Sequence, residues 1–166
     1  MLLSTVFMSS QLDLGRYQIR RFTPSFEALG IVVDFLSRRA PYDELRAGKL
    51  VTTIKYQMAQ GDHVCGFRGE TLVGYCGWLQ VTCELGERWL RGQAELQPIP
   101  PDRADAVALT LIRVDEPAAL RPLIRAGRKL VGSKRVFFGR DYAGIRDTVR
   151  RNTVMNFTLE PISRAP

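Results

Sequence analysis

Apolar and polar positions along this chain repeat with two different periods. From Phe26 to about Arg39 the apolar residues recur every three or four positions, placing Phe26, Leu29, Val32, Val33 and Leu36 on one side. This predicts an amphipathic helix. Thr23-Pro24 would start it, a capping hydroxyl before a proline in the first turn, and Pro41 would end it. A second helix is expected over roughly Tyr42–Ala59, burying Leu45, Val51, Ile54 and Met58. The period then falls to two. His63–Phe67 and Leu72–Val81 are apolar runs on either side of Arg68-Gly69-Glu70-Thr71, the pattern of a β-hairpin. In the second run Val73, Tyr75, Gly77, Leu79 and Val81 share one face, and Leu72, Gly74, Cys76, Trp78 and Gln80 the other. Gly74 and Gly77 stand where bulky strand residues belong. They mark a bulge, a close approach of backbone or ligand, or a local packing accommodation.

Beyond the hairpin, Glu84–Arg91 has no decisive period, and Gln97-Pro98-Ile99-Pro100-Pro101 reads as a rigid loop. Asp105–Val114 is nearly continuous in apolar residues, as a central strand is. A helix over Ala119–Val131 follows, then strands over Arg135–Tyr142 and Asn152–Leu159. The whole predicts one α/β domain over 23–160, a mostly antiparallel sheet flanked by helices, with an N-terminal extension over 1–22 and a tail over 161–166. A chain of 166 residues with 45% apolar content is long enough for one domain with a real core. The apolar start, Met1–Met8, has no basic flank and is too short to span a membrane.

Three cysteines, Cys65, Cys76 and Cys83, form no CxxC spacing and are expected to be small buried hydrophobes in a reducing cytoplasm. Nothing in the sequence clusters as metal ligands, and there is no Walker A, GxSxG or strand-borne GxGxxG motif. The net charge of +7 is uneven: Arg113–Arg151 holds eleven Lys or Arg against four Asp or Glu, a difference of +7. Such asymmetry points to an acidic partner met through one surface. On the helix after the central strand, Leu120, Leu123, Ile124, Gly127, Leu130 and Val131 fall on one side, and Arg121, Arg125, Arg128 and Lys129 on the other. That basic side is either a solvated face or a docking surface.

The run ETLVGYCGWLQVTCELGERWL, preceded by HVCGFRG, resembles the central hairpin of the toxin-activating lysine acyltransferases, which fatty-acylate RTX haemolysins on a GNAT-like fold. The match is best over Asp62–Leu90, with VGYCGW its most specific piece, and loose over 28–60 and 102–141. The resemblance implies a GNAT-like domain that takes its acyl group from acyl carrier protein and passes it to a lysine of an acceptor protein. No cofactor would be held; acyl-acyl carrier protein is the donor substrate. Arg121, Arg125, Arg128 and Lys129 would then dock the acidic carrier, and Gly74, Cys76, Gly77 and Trp78 would lie against the acyl donor, with backbone N–H groups as oxyanion donors. Ordinary GNAT enzymes hold the coenzyme A pyrophosphate on a glycine-rich loop before this helix. Here that loop is Val114-Asp115-Glu116-Pro117-Ala118-Ala119, with two acids, a proline and no glycine, which argues against acetyl-coenzyme A.

The family's catalytic pair does not carry over. Counting back from the hairpin, its histidine falls on Tyr42, or on Asp43 with a one-residue slip, and its aspartate near Leu109 or Thr110, with Asp115 the next acid downstream. The single histidine of this chain, His63, opens the hairpin. Tyr42, Asp43 or Glu44 would have to move the proton in another way, or His63 would have to reach the site from its strand, or the fold serves as a non-catalytic acyl- or protein-binding module. Pro41-Tyr42-Asp43-Glu44 is also a plain helix beginning, with acids in its first turn. A nucleic-acid partner is the alternative from another class, carried by Arg146, Arg150, Arg151, Tyr142 and Phe157, although no RRM, KH or zinc-finger pattern is present. An anionic membrane surface and a second copy of the chain are further partners left open.

Overall fold

Ser25 starts the first helix. In a computed structural model, which describes residues 16–139 in full and the backbone of 12–13 and 152–156, its hydroxyl accepts the Ala28 N–H at 3.0 Å. Helix α1 (Phe26–Ser37) is therefore capped two residues after Thr23. Phe26 in its first turn is 87% exposed, and the buried face is Ala28, Val32, Phe35 and Leu36. The next segment is not one helix. Tyr42–Glu44 make a single 3₁₀ turn, Leu45 is extended with ψ 141°, and α2 begins only at Ala47, running Ala47–Gln60. That break moves the helical phase, so α2 buries Leu50, Ile54, Gln57 and Met58 while Leu45 stays exposed and Val51 half-buried.

Seven strands form one sheet in sequence order: β1 (Leu12–Asp13), β2 (Gln18–Arg20), β3 (His63–Arg68), β4 (Thr71–Val81), β5 (Ala106–Val114), β6 (Arg135–Gly139) and β7 (Asn152–Asn156). Every neighbouring pair is antiparallel except β5–β6, which is parallel and joined by α4 (Pro117–Val131). The predicted hairpin is β3–β4, turning at Gly69 with φ 60°, a backbone region that glycine enters without a Cβ penalty. β2 pairs with β3, with Ile19 opposite Gly66, so the end of the expected N-terminal extension is built into the sheet. The undecided segment after the hairpin is helix α3 (Cys83–Leu90), whose Thr82 cap accepts the Leu85 N–H at 3.1 Å. β6 covers only the first part of the strand expected over Arg135–Tyr142, and β7 the first part of that expected over Asn152–Leu159; the remainder lies outside the described residues.

Helix α4 packs on one face of the sheet over Val64, Cys76, Trp78, Val107 and Leu109. It does so through Leu123 and the small residues Ala119, Ala126 and Gly127, which let it come close, while Leu120 and Leu130 are 37% and 44% exposed. Helices α1 and α2 cover Cys65, Phe67, Tyr75 and Leu111 on the opposite face, and α3 covers Leu79, Val81, Ala108 and Phe137. Strand β4 is thus buried on both faces. Along β4–β5 the register jumps between Gly77↔Leu111 and Trp78↔Leu109, which makes Thr110 an extra residue in β5.

Candidate functional site

The bulge at Thr110 coincides with a parting of two strands. β6 pairs with β5 only from Ala106 to Leu109; Thr110–Val114 have no partner on that side among the described residues. The backbone groups that an adjacent strand would have bonded are taken by a side chain from the 3₁₀ turn. Tyr42 donates its hydroxyl to the Ile112 carbonyl and accepts the Ile112 N–H, both at 2.8 Å. Burial raises the pKa of this phenol, so it stays protonated and fully engaged. Tyr42 and Ile112 are 70 positions apart, yet they bring the two positions named from the resemblance onto one short stretch of β5.

Thr110 and Leu111 line a cleft of about 420 Å³ together with Leu79 of β4, Leu45 and Leu50 from the α2 side, and Trp89 and Leu96 from α3 and the loop that follows it. Lys49 and Glu95, both exposed, are its charged members. A mostly apolar cleft of this size with a few polar groups suits a small or elongated apolar ligand.

Under the cleft lies a buried polar network centred on Gln57. Its amide Nε2 donates to Thr110 Oγ1 at 2.8 Å, and its Oε1 accepts the Tyr75 hydroxyl at 2.9 Å. The space for this amide is provided by Gly77: a Cβ there would sit 2.2 Å from Gln57 Oε1. Of the explanations for that glycine, the local packing accommodation is the one these contacts support, since a side chain fills the space. His63 belongs to the same network. Its Nδ1 faces the Gln57 carbonyl at 3.3 Å and its Nε2 accepts the Phe22 N–H at 3.0 Å, which assigns the Nδ1–H tautomer. Burial lowers its pKa to about 4, so it is a neutral, hydrogen-bonded core residue at neutral pH, with its lone pair occupied. It does not line the cleft.

The other residues singled out from the sequence are dispersed. Asp43 is exposed on the 3₁₀ turn. Cys76 and Trp78 point under α4, on the far face of the sheet, and Gly74 packs near Val114 and Leu123. The Trp78 N–H donates to the Asp62 carbonyl, so it is not available to an oxyanion. Arg121, Arg125 and Arg128 line a second, open cleft of about 610 Å³ beside α4, joined there by Arg16 and Tyr17; Lys129 is exposed and lies outside it. Cys65 and Cys76 are buried, with the Cys76 thiol pushed up to about 12, and Cys83 is half-buried. Among the described residues no group of three His, Cys, Asp or Glu side chains gathers as metal ligands, and no helix is long and apolar enough to cross a membrane. Arg146, Arg150, Arg151, Tyr142 and Phe157 lie outside the described residues.

Three residues were not anticipated. Gln57 is legible afterwards as a polar residue three positions after Ile54 on the buried side of α2. Asp62, only 8% exposed, accepts Trp78 Nε1 and Gln80 Nε2 on Oδ1 at 3.0 and 2.8 Å; burial raises its pKa. Arg16 carried no local signal.

The Val114–Ala119 loop differs from the charge-based expectation. Asp115 is paired with Arg113 at 2.7 Å, and Glu116 with Arg68 at 3.1 Å and the Tyr17 hydroxyl at 2.7 Å, so both carboxylates have cationic partners. Three positions of the loop offer no amide to a ligand: the Asp115 N–H donates to the Val73 carbonyl, Pro117 has none, and the Ala119 N–H turns back to the Glu116 carbonyl. No protein-family model and no curated protein matches this chain.

Proposed function

We propose that this chain binds a fatty acyl group presented on acyl carrier protein, as a divergent, GNAT-like relative of the toxin-activating lysine acyltransferases. The observation that carries the reading is the convergence of Tyr42 with the Thr110–Ile112 stretch of β5. The resemblance assigns a histidine to the first position and an aspartate beside the second, and cooperating groups have to be neighbours. The parallel pair β5–β6 joined by α4 within an otherwise antiparallel sheet supports the GNAT-like fold. The mostly apolar cleft above Thr110 would take the chain, and the arginines of α4 the carrier. The amide-poor loop before α4 favours a carrier-borne donor over free coenzyme A. No cofactor is held in this reading, and the cytoplasm, where acyl carrier protein resides, is its compartment.

Binding is favoured over transfer because neither Tyr42 nor Thr110 is a base near neutral pH, and the His63 lone pair is occupied. Transfer to a protein lysine is the second reading, supported by Asp43, the acid adjacent to Tyr42 and exposed on the same turn. In that reaction the neutral lysine amine attacks the thioester carbonyl, the C–N bond forms as the C–S bond breaks, and the amine proton passes by way of Asp43 to the departing carrier thiolate. Tyr42 would then position the turn. Incubation with a mixed acyl-acyl carrier protein pool, followed by binding analysis and mass spectrometry, tests both. Binding to wild type that is abolished in Arg125→Glu/Arg128→Glu is expected, with the thioester intact. Discharge of the thioester would establish transfer. Absence of binding at low salt would refute the carrier reading and make nucleic acid the next ligand to try.

A further inference from the structure

The basic side of α4 is not a flat face. Arg121, Arg125 and Arg128 share a cleft of about 610 Å³ with Arg16, which precedes β2, and with Ala118 in the first turn of α4. Guanidinium groups thus enter one concavity from two separate elements of the chain. Elsewhere Arg38, Arg68, Arg91, Arg113 and Arg135 each meet a carboxylate. Arg16, Arg121 and Arg125 have no ion pair or hydrogen-bond partner among the described residues, and no acid lines the cleft. Glu116, which is tied to the Tyr17 hydroxyl, is neutralised by Arg68 and does not compete. Like charges gathered in a concave site repel one another until an anion joins them, and the site concentrates positive potential.

The shape selects among anions. A carrier that used only the carboxylates of an acidic helix would lie along the exposed side of α4, where Lys129 would serve as well as the arginines and Arg16 would be idle. Convergence from two sides instead suits a tetrahedral group whose oxygens accept from several guanidinium forks at once. Resting on the acyl-carrier reading, we propose that this cleft receives the phosphodiester of the carrier's phosphopantetheine arm, with Arg16 and Arg121 as its principal donors. The arm's phosphate is held between α4 and the segment that leads into β2.

The test compares full-chain protein with apo-carrier, which lacks the arm, and with holo-carrier, by calorimetric titration and by the phosphorus resonance of the arm. Wild type is expected to bind holo-carrier about tenfold more tightly than apo-carrier, as charge-assisted hydrogen bonds warrant, and to shift the resonance. In Arg16→Gln/Arg121→Gln the two carriers should bind equally and the shift should vanish, while Lys129→Gln keeps both effects. Thermal melts check that the variants fold, and the single variant Arg16→Gln carries the comparison if the double one does not. Equal binding of apo- and holo-carrier by wild type, or a resonance shift that persists in the arginine variant, overturns the phosphate site while the carrier reading stands. Failure of wild type to bind either carrier overturns both.

Discussion

Replacing Gly77 by alanine is the most exacting probe of the network beneath the cleft. The added Cβ would lie 2.2 Å from Gln57 Oε1 and 2.5 Å from its Cδ, and Gln57 is fully buried. The amide cannot swing aside without giving up its hydrogen bonds to Thr110 and Tyr75. Two such bonds are worth about 1 kcal/mol each, and overpacking a filled core costs about 1–3 kcal/mol. Against this, alanine recovers about 0.5–1 kcal/mol of backbone entropy relative to glycine in a strand. The net expectation for Gly77→Ala is a loss of about 2–4 kcal/mol, read as a fall in the urea midpoint at unchanged m-value. Gln57→Ala alone should lose about 2–4 kcal/mol, because it leaves the buried Tyr75 hydroxyl without its partner and opens a cavity. With Gln57 already truncated, the alanine methyl at position 77 enters vacated space. The second substitution should then cost close to nothing, a coupling of about 2 kcal/mol or more. If the two losses simply add, to within about 0.5 kcal/mol, the glycine is not there for the amide and the account of Gly77 fails.

Acidification should expose His63. Its folded pKa of about 4 lies below the ordinary value of about 6.5, so the unfolded chain protonates first and stability falls as the pH drops from 6.5 toward 4, by about 3 kcal/mol in all. Asp62, whose folded pKa is raised, acts in the opposite sense; denaturation midpoints measured in an Asp62→Asn background isolate the histidine, and that background itself should be no less stable than wild type at pH 7. Tyr42→Phe leaves the Ile112 N–H and C=O unpartnered, at a cost of about 1–3 kcal/mol, and hydrogen exchange at the Ile112 amide should accelerate; unchanged protection there would contradict the contact. Ser25→Ala should lose about 1 kcal/mol and Thr23→Ala under about 0.5, by thermal melting, which separates the observed cap from the expected one. In the native protein Cys83 should react with a thiol reagent while Cys65 and Cys76 do not, a pattern that denaturant abolishes.

The elements with a strong period were legible from the residues alone. His63–Phe67 and Leu72–Val81 became β3 and β4, and Asp105–Val114 became β5, because each run is buried on at least one face and burial enforces the alternation. Errors arose where two local signals competed. Thr23-Pro24 offers a cap, but Ser25 offers another two residues later, and the later one is used. Leu45 fits the helical stripe of α2 in phase, yet the extended backbone at that residue breaks the stripe before it begins. On α4 the wheel gave Leu120 and Leu130 to the core along with Leu123, but only Leu123 takes the contact, with the small residues Ala119, Ala126 and Gly127 around it. The groove was less legible than the fold. Tyr42 and Thr110 were named only through the resemblance, and Gln57, Asp62 and Arg16 act through partners distant in sequence, which no local period encodes.

The hydroxyl of Tyr42 also decides how another polypeptide can approach. An open strand edge presents a ladder of N–H and C=O groups that recruits any extended segment, whether a substrate backbone or another copy bound for aggregation. On β5 the rung at Ile112 is stoppered by a phenol, which satisfies both groups and occupies the lane a guest strand would need. A polypeptide arriving here cannot be read by its main chain. It can be engaged only through its side chains, so any contact at this edge depends on the sequence that arrives.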